Sequence, residues 1–248
     1  MNDEQLKRYS RHILLPSVQM DGQQKICTAK ILIVGLGGLG CVAALYLAAS
    51  GVGEFILVDG DNVELSNLQR QIAHSTAAIG HSKVISAMQA MQALNPEIKI
   101  TPINKYLTED NLSELVTQAD VVLDCSDNFS TRFALNKMCW QEKKPLVMGA
   151  AIRLEGQISL FDGRLTHSPC YACLYPEESQ REEEQACVHN GVLAPVVGVI
   201  GSLQAVECLK IITGVGESLV GCLLVWDAGQ QDWRKIRVQK DNTCLVCS

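Results

Sequence analysis

Residues 31–40 read Ile-Leu-Ile-Val-Gly-Leu-Gly-Gly-Leu-Gly, a short apolar run that ends in a glycine-rich turn. The apolar run is typical of a buried parallel strand, and the glycines let the chain turn sharply into a helix. A helix rich in Ala and Leu is predicted over about 39–50, and residues 55–58 predict a second strand that ends at Asp59. This order of strand, glycine turn, helix and strand indicates a sheet with right-handed crossover connections.

The same alternation continues through the first half of the chain. Further strands are predicted at 98–103, 121–124 and 146–148, and helices at 82–94, 110–118 and 130–140. Pro102 places the 98–103 strand at a sheet edge or a strand end, because proline cannot donate to a neighbouring strand. The pattern predicts an α/β fold of the Rossmann-like type, with a mostly parallel sheet and helices on both faces.

The pattern changes after Gly149. Residues 156–161 predict an antiparallel strand, a helix is expected from about Pro195 to Thr213, and residues 223–226 and 233–238 predict a closing hairpin. We therefore expect one domain over 1–248, with a nucleotide-binding half at 1–150 and a second half at 151–248.

The composition excludes several classes of protein. Hydrophobic residues make up 47% of the 248 residues and charged residues 19%, which supports a buried core and excludes a disordered chain. The net charge of −6 argues against nucleic-acid or anionic-membrane partners. Residues 31–53 carry no charge and imitate a membrane span, but their glycines predict two buried elements around a turn. The N-terminus has no apolar run typical of a secretory signal, so we expect a cytoplasmic protein.

Gly35, Gly37 and Gly40 match the pattern G-x-G-x-x-G between a predicted strand and a predicted helix. Glycines in this position let the backbone approach a phosphate at the N-terminus of the helix. Asp59 ends the next strand, where its carboxylate could accept hydrogen bonds from ribose hydroxyls. The motif favours nucleotide binding over an ordinary glycine-rich turn, but it does not separate a dinucleotide from ATP.

Polar residues further along the chain favour ATP. Residues 66–71 read Ser-Asn-Leu-Gln-Arg-Gln, and the cations Arg70 and Lys83 could clamp a triphosphate. Asp127 and Asn128 follow a predicted strand, at the edge where ligands bind to such sheets, and a carboxylate oxygen there could hold Mg²⁺. Taken singly, each of these charges is well explained as an ordinary surface charge, and their joint value depends on the family resemblance described below.

Two C-x-x-C pairs, Cys170 with Cys173 and Cys244 with Cys247, predict a metal site. Two thiolates at this spacing occupy adjacent corners of a tetrahedron, and two pairs complete a Cys₄ set. Such a set leaves no open position on the metal, so we expect structural zinc. A redox dithiol and four unrelated thiols are the alternatives.

Cys187 stands alone, at the end of an acidic loop within residues 162–190. It lies shortly before Pro195 and the predicted helix, whose dipole would favour a reactive thiolate. A buried small side chain explains the residue equally well, so both interpretations stay open. The five histidines match no metal-ligand spacing, and none is assigned to a site.

Taken together, these motifs resemble the MoeB/ThiF family of adenylyltransferases, relatives of the ubiquitin-activating E1 enzymes. The resemblance covers almost the whole chain: Arg8–Arg11, the glycine turn, residues 66–71, Asp124–Asn128, Gly149–Gln157, both cysteine pairs and Gly198–Ala205. The Gly149–Gln157 segment and the residues around Cys187 are closer to the molybdopterin branch than to the thiamine branch.

The resemblance implies an ATP-dependent enzyme that uses Mg²⁺ and carries structural Zn²⁺. It would adenylylate the C-terminal Gly-Gly carboxylate of a small ubiquitin-like sulfur-carrier protein and release pyrophosphate. The carrier would be the small subunit of molybdopterin synthase, or alternatively the thiamine-pathway carrier. The implied nucleotide contacts are Gly38, Asp59, Asp61, Ser66, Asn67, Leu68, Gln69, Arg70, Lys83, Asp127 and Asn128. The implied catalytic residues are Arg11, Arg70, Lys83, Asp127 and Cys187.

The resemblance also implies partners. In a homodimer, Arg11 would reach the site of the neighbouring subunit, and Cys187 would form a thioester or acyl disulfide with the carrier. Residues 151–248 would bind the carrier as well as zinc. No sulfurtransferase segment follows Cys247 in this sequence, so we expect a separate sulfurtransferase or cysteine desulfurase. An NAD-dependent dehydrogenase and a zinc-pinned scaffold without activity are the alternatives.

Overall fold

The structure, a computed structural model, describes residues 1–175 and 191–248. Its helices are α1 (Asp3–Arg8), α2 (Ser10–Ile13), α3 (Gln19–Thr28), α4 (Gly38–Ala49), α5 (Lys83–Leu94), α6 (Glu109–Gln118), α7 (Phe129–Gln141), α8 (Tyr171–Leu174) and α9 (Ala194–Thr213). Its strands are β1 (Lys30–Val34), β2 (Glu54–Val58), β3 (Lys99–Ile103), β4 (Val121–Asp124), β5 (Pro145–Ile152), β6 (Glu155–Asp162), β7 (Cys222–Asp227) and β8 (Asp232–Arg237).

Within the described residues, the strands form one sheet in the order β3-β2-β1-β4-β5-β6-β7-β8. β1 to β5 pair in parallel, and β6, β7 and β8 extend the sheet as antiparallel strands. This arrangement confirms the predicted fold class. β3 is an edge strand, as Pro102 predicts.

Both faces of the sheet are covered, as the apolar strands require. Ile31 and Ile33 lie in one core with residues of α4, α5 and α9, and Leu32 and Val34 lie in the other core with residues of α6 and α7. Successive strand residues point to opposite faces, so one apolar run serves both cores. The buried strands thereby hold the loops at their carboxyl ends in defined positions.

The turn between β1 and α4 requires glycine for reasons internal to the chain. Gly35 has a φ of +90°, which L side chains rarely adopt. A Cβ on Gly40 would lie 1.9 Å from the Gly35 carbonyl oxygen. These two glycines bring the start of α4 against the end of β1.

Two features differ from the sequence prediction. No helix is predicted over residues 1–28, but the structure has α1, α2 and α3 there. α1 and α2 bury none of their residues, so they carry no apolar periodicity to detect. β5 continues to Ile152, past the predicted end at Met148, because it pairs with β6 along its whole length.

The apolar segments are core elements. Residues 31–49 form β1 and α4, as predicted in place of a membrane span. α9 is the one described helix that is long and apolar enough to cross a membrane by length and composition alone. Its Val196, Val197, Ile200 and Cys208 are buried, and it packs against the sheet and α4. The helix ends at Thr213, as predicted, and Gly214 follows in a left-handed conformation.

Candidate functional site

The carboxyl ends of β1, β2 and β4 lie side by side. Val34 pairs with Val58 on one side and with Asp124 on the other. The loops that follow these strands therefore begin at the same level of the sheet. We call residues 35–38, 59–71 and 125–128, together with Lys83 at the start of α5, the polar edge.

Asp59 ties the glycine turn to the loop after β2. Its Oδ2 accepts a hydrogen bond from the Leu36 N–H at 2.7 Å, and its Oδ1 accepts one from the Asp61 N–H at 2.8 Å. Backbone N–H groups therefore hold both carboxylate oxygens of Asp59, the residue predicted to bind ribose hydroxyls. Each carboxylate oxygen can accept a further hydrogen bond, so the predicted role stays open.

Lys83 places a positive charge at the polar edge. Its side chain is only 8% exposed, and its Nζ lies 2.7 Å from Asp61 Oδ2. Tyr106 donates its hydroxyl to Asp61 Oδ1 at 2.5 Å, and its ring lies against Gly60. Burial alone would raise the pKa of Asp61, but the hydrogen bonds from Lys83 and Tyr106 lower it below its ordinary value. Asp61 therefore stays ionised and holds the ammonium group in place.

The segment Ser-Asn-Leu-Gln-Arg folds as a tight turn with bonds inside itself. Asn67 is buried, and its Oδ1 accepts a backbone N–H of the turn at 3.1 Å. Arg70 Nη1 donates to the Ser66 carbonyl oxygen at 3.2 Å. Leu68 is half-buried and Gln69 is exposed on the same turn. The turn therefore holds residues 66–70, which are predicted to contact the nucleotide, together on the polar edge.

Gly37 has no need to be glycine within this chain. Its φ is −82°, and a Cβ there would meet only Gln71 Nε2, at 3.7 Å. At Gly38, by contrast, a Cβ would lie 2.7 Å from Val197 Cγ2. Gln71 is buried, and its Oε1 has no hydrogen-bond partner in the part of the chain that the structure describes. Open backbone beside an unpaired buried oxygen indicates a place where a ligand can approach.

Asp127 and Asn128 have different surroundings. Asn128 caps α7, where its Oδ1 accepts from the Thr131 N–H and the Ser130 hydroxyl, each at 2.9 Å. Asp127 is exposed, and among the described residues it makes no hydrogen bond or ion pair. The sequence does not predict the capping role of Asn128. Asp127 is left as an open oxygen donor at this end of β4, which suits Mg²⁺.

Three residues that shape the polar edge are not marked by any motif in the sequence: Tyr106, Arg132 and His74. Arg132 Nη2 donates to the Ser126 carbonyl oxygen at 2.9 Å and so holds the loop after β4. His74 contacts the glycine turn through its Nε2, which lies 3.0 Å from the Leu36 carbonyl oxygen. His74 and Tyr106 contact residues 38 and 45 positions away, so spacing rules do not find them, and the contact of Arg132 with Ser126 follows no motif. The only available signal is an aromatic or basic residue near the end of a predicted strand or the start of a predicted helix.

The two cysteine pairs meet, although they lie far apart in the sequence. The Sγ–Sγ distances are 3.9 Å for Cys170–Cys173, 3.6 Å for Cys170–Cys244 and 3.3 Å for Cys173–Cys247. A disulfide requires about 2.05 Å, whereas a tetrahedron with Zn–S bonds of about 2.3 Å has edges of about 3.8 Å. This cysteine cluster therefore fits a metal ion and not two disulfides.

Arg11 lies far from the polar edge of its own chain. The Arg8 guanidinium donates to the Leu94 carbonyl oxygen and Asn95 donates to the Tyr9 hydroxyl, both at 2.9 Å, so α1 and α2 sit at the C-terminal end of α5. Lys83 marks the opposite end of that 12-residue helix, about 18 Å away by helix rise. Arg11 is exposed there and does not complete the polar edge of the same chain.

Comparison with known proteins decides the family, because the ThiF family profile matches residues 9–246. The chain belongs to the ThiF family. Over 250 aligned residues it is 46% identical to the molybdopterin-synthase adenylyltransferase of Escherichia coli K12, covering 100% of this chain and 98% of that protein. The adenylyltransferase and sulfurtransferase MOCS3 of Culex quinquefasciatus is 42% identical over the whole of this chain, which spans 56% of that protein.

Solved structures agree with this assignment to the ThiF family. Escherichia coli MccB with ATP is 25% identical, with a TM-score of 0.84 over 97% of this chain and 73% of that one. The relatives confirm the predicted family and enzyme class: this ThiF-family chain is an adenylyltransferase. They favour adenylyl transfer over the dehydrogenase alternative. Cys187 and the acidic residues before it fall in 176–190, outside the described residues, so their roles stay predictions.

Proposed function

We propose that this chain uses MgATP to adenylylate the C-terminal Gly-Gly carboxylate of a small ubiquitin-like sulfur-carrier protein. The products are an acyl adenylate, ready for thiocarboxylate formation, and pyrophosphate. The observation that carries the proposal is the polar edge. There the ammonium group of Lys83, the exposed carboxylate of Asp127 and the open backbone of Gly37 lie at one edge of the sheet in a ThiF-family adenylyltransferase.

The first step of the proposed reaction needs no proton transfer by the protein. The carrier carboxylate is ionised at neutral pH, so its oxygen can attack the α-phosphate without a general base. Catalysis then consists of alignment and of positive charge near the phosphates. Lys83 and Arg70 supply that charge, and the Asp127 carboxylate would hold Mg²⁺. When bound there, Mg²⁺ would supply charge neutralisation at the phosphates.

We assign carrier binding to the 151–248 half and take the molybdopterin carrier as the substrate. β8 is an edge strand in which all six residues are exposed, including Trp233 and Ile236. Such an edge can accept an added strand of a partner. The choice of carrier is supported by the name of the 46%-identical relative, molybdopterin-synthase adenylyltransferase.

We further propose a homodimer in which Arg11 enters the polar edge of the partner. The support is the position of Arg11, about a helix length from its own polar edge. An apolar groove of about 170 Å³ lies between α2, α3 and α9. Leu14 and Leu15 on the same segment are 70% and 48% exposed. A second copy would bury this apolar surface.

We propose that the cysteine cluster holds structural Zn²⁺ and that the enzyme works in the reducing cytoplasm. A reducing compartment keeps cysteines as free thiols, and the described cysteines are free. Sulfur would come from a separate sulfurtransferase or cysteine desulfurase. The Escherichia coli relative, of which 98% is matched, is named for adenylyl transfer alone.

Cys187 is proposed to act after adenylylation, when AMP is a good leaving group. Its thiolate would attack the activated carbonyl, form a thioester with the carrier and release AMP. No thiol enters the first step, so Cys187→Ala should leave pyrophosphate exchange intact. An ATP-dependent, thiol-sensitive enzyme–carrier adduct seen by mass spectrometry should vanish in that variant. Absence of any adduct in the unmodified enzyme would contradict this role.

Pyrophosphate exchange tests the proposed reaction. Labelled pyrophosphate should enter ATP when the enzyme, Mg²⁺ and a carrier ending in Gly-Gly are present. The matched control is the same carrier with its C-terminus amidated, which removes the nucleophilic carboxylate and should abolish exchange. Equal exchange with the amidated carrier, or without any carrier, would overturn the proposal.

A further inference from the structure

His74 is buried where the glycine turn meets α5. Its Nε2 lies 3.0 Å from the Leu36 carbonyl oxygen, and its Nδ1 lies 3.0 Å from the Ser86 hydroxyl. Ser86 follows Lys83 by one turn of α5. The imidazole therefore joins the glycine turn to the helix that carries the held cation.

The contacts assign the protons along this connection. The Leu36 oxygen can only accept, so Nε2 of His74 carries the proton and Nδ1 accepts from Ser86. Burial lowers the pKa of His74 and the nearby Lys83 charge lowers it further, so the ring is neutral at pH 7. The Cys41 thiol also donates to the Leu36 oxygen, at 3.2 Å. Burial raises the pKa of Cys41 to about 12, which keeps that thiol protonated.

Two donors thus hold the Leu36 carbonyl group toward the interior. The Leu36–Gly37 peptide is trans, so its C=O and its N–H point in opposite directions. The Gly37 N–H consequently points away from His74, and it has no hydrogen-bond partner within the described ranges. On the other side, Asp59 holds the Leu36 N–H. The orientation of this free donor at the start of α4 is set by its neighbours.

We propose that His74 is a positioning residue for adenylylation: by holding the Leu36 carbonyl, it aims the Gly37 N–H at a phosphate of ATP. The inference rests on the proposed function, because it requires the nucleotide at the polar edge. A donor that is already aimed needs no reorganisation when the substrate binds. Loss of the anchor should therefore weaken ATP binding and leave carrier binding unchanged.

Two substitutions separate positioning from packing. His74→Gln places an amide N–H near the position of Nε2 and keeps the contact with Leu36. His74→Asn is shorter and loses it. We expect KM for ATP in carrier-dependent exchange to rise about tenfold in His74→Asn and less than about threefold in His74→Gln, with KM for the carrier unchanged. An equal KM for ATP in the two variants overturns the proposal, and so does a matching rise in both KM values.

Further variants keep the test decisive. Gln89→Asn shortens an exposed side chain of α5, outside both the polar edge and the 151–248 half, and should retain both wild-type KM values. If neither His74 variant folds, Ser86→Ala decides, because Ser86 orients the ring. A rise of about threefold in KM for ATP supports the proposal, and a wild-type value overturns it.

Lys83→Ala and the amidated carrier together distinguish failure of this inference from failure of the proposed function. If Lys83→Ala uses ATP as the wild type does, the nucleotide does not bind beside Lys83 and the role of His74 is wrong, although carrier-dependent exchange still supports adenylylation. Equal exchange of the wild type with the amidated carrier would instead make the proposed function wrong, and the role of His74 with it. If Lys83→Ala is impaired while the two His74 variants behave alike, only the role of His74 is wrong.

Discussion

The polar edge and the cysteine cluster are assembled in different ways. At the polar edge, Lys83 is held by Asp61, whose side chain is 48% exposed, and Asp127 is exposed without a bonded partner among the described residues. In the cysteine cluster, sulfurs brought together across 74 residues of chain have one another as neighbours, and Cys170 and Cys244 are buried.

The difference fits two tasks: the polar edge would bind and release substrate at each turnover, whereas the cysteine cluster would keep one metal ion. A carboxylate can release a cation to a phosphate during each turnover, because the charge remains compensated. Four thiolates around one metal ion would leave no position for a substrate, so the ion would stay bound. The C-terminal segment is pinned further by Lys240, which lies 5.3 Å from the centre of the Trp140 ring. The polar edge should therefore control the reaction rate, and the cysteine cluster should control stability.

The largest expected effect on rate comes from Asp127→Ala. Loss of one electrostatic contributor to the transition state should lower pyrophosphate exchange by about 10²-fold or more. Melting temperature should stay at the wild-type value, because the side chain is exposed. Glu114→Ala, an exposed acid on α6, is the control and should retain full exchange. A decrease below about threefold for Asp127→Ala would remove this residue from the reaction.

Mixing two inactive variants tests whether Arg11 acts across a dimer. Arg11→Ala and Asp127→Ala lose different parts of one site, so a hybrid dimer regains one complete site. Random exchange of subunits should restore about a quarter of wild-type activity. Native mass spectrometry can confirm that hybrids form. Hybrids without activity would show that each site is built within one chain.

A smaller effect is expected from Tyr106→Phe. This change removes the hydroxyl that helps to orient Asp61, while Lys83 still holds the carboxylate. Because the Lys83 contact remains, loss of this one hydrogen bond to Asp61 should raise KM for ATP only about three- to fivefold. Tyr46→Phe, on an exposed face of α4, is the matched control. An unchanged KM for ATP would show that the Tyr106 contact does not help to position Lys83.

The smallest effect on rate is expected from Cys247→Ser, although it should lower stability most. We expect the wild type to contain one zinc ion per chain and the variant to lose it, with a melting temperature several degrees lower. Exchange per folded molecule should stay within about twofold of wild type. Cys27→Ser, outside the cysteine cluster, should keep both the metal and the melting temperature. A fully stable, metal-free wild type would contradict the structural role.

The sequence predicts the two regions to different depths. Apolar runs and glycines predict β1, α4 and the order of loops at the polar edge, because burial on both faces leaves few alternatives for such segments. The two C-x-x-C spacings predict that Cys170, Cys173, Cys244 and Cys247 form one metal-binding set, and the fold brings the four sulfurs together. His74 and Tyr106 could not be predicted, since their partners lie on other elements and no local pattern marks them.

An isotope label shows directly whether the carrier carboxylate attacks the α-phosphate of ATP. A carrier with ¹⁸O in its terminal carboxylate would be incubated with the enzyme, MgATP and hydroxylamine, which cleaves an acyl adenylate at the carbonyl carbon. We predict AMP that carries ¹⁸O from the carrier, formed about 10²-fold more slowly with Asp127→Ala. AMP free of the label, formed at the same rate by the wild-type enzyme, would contradict it.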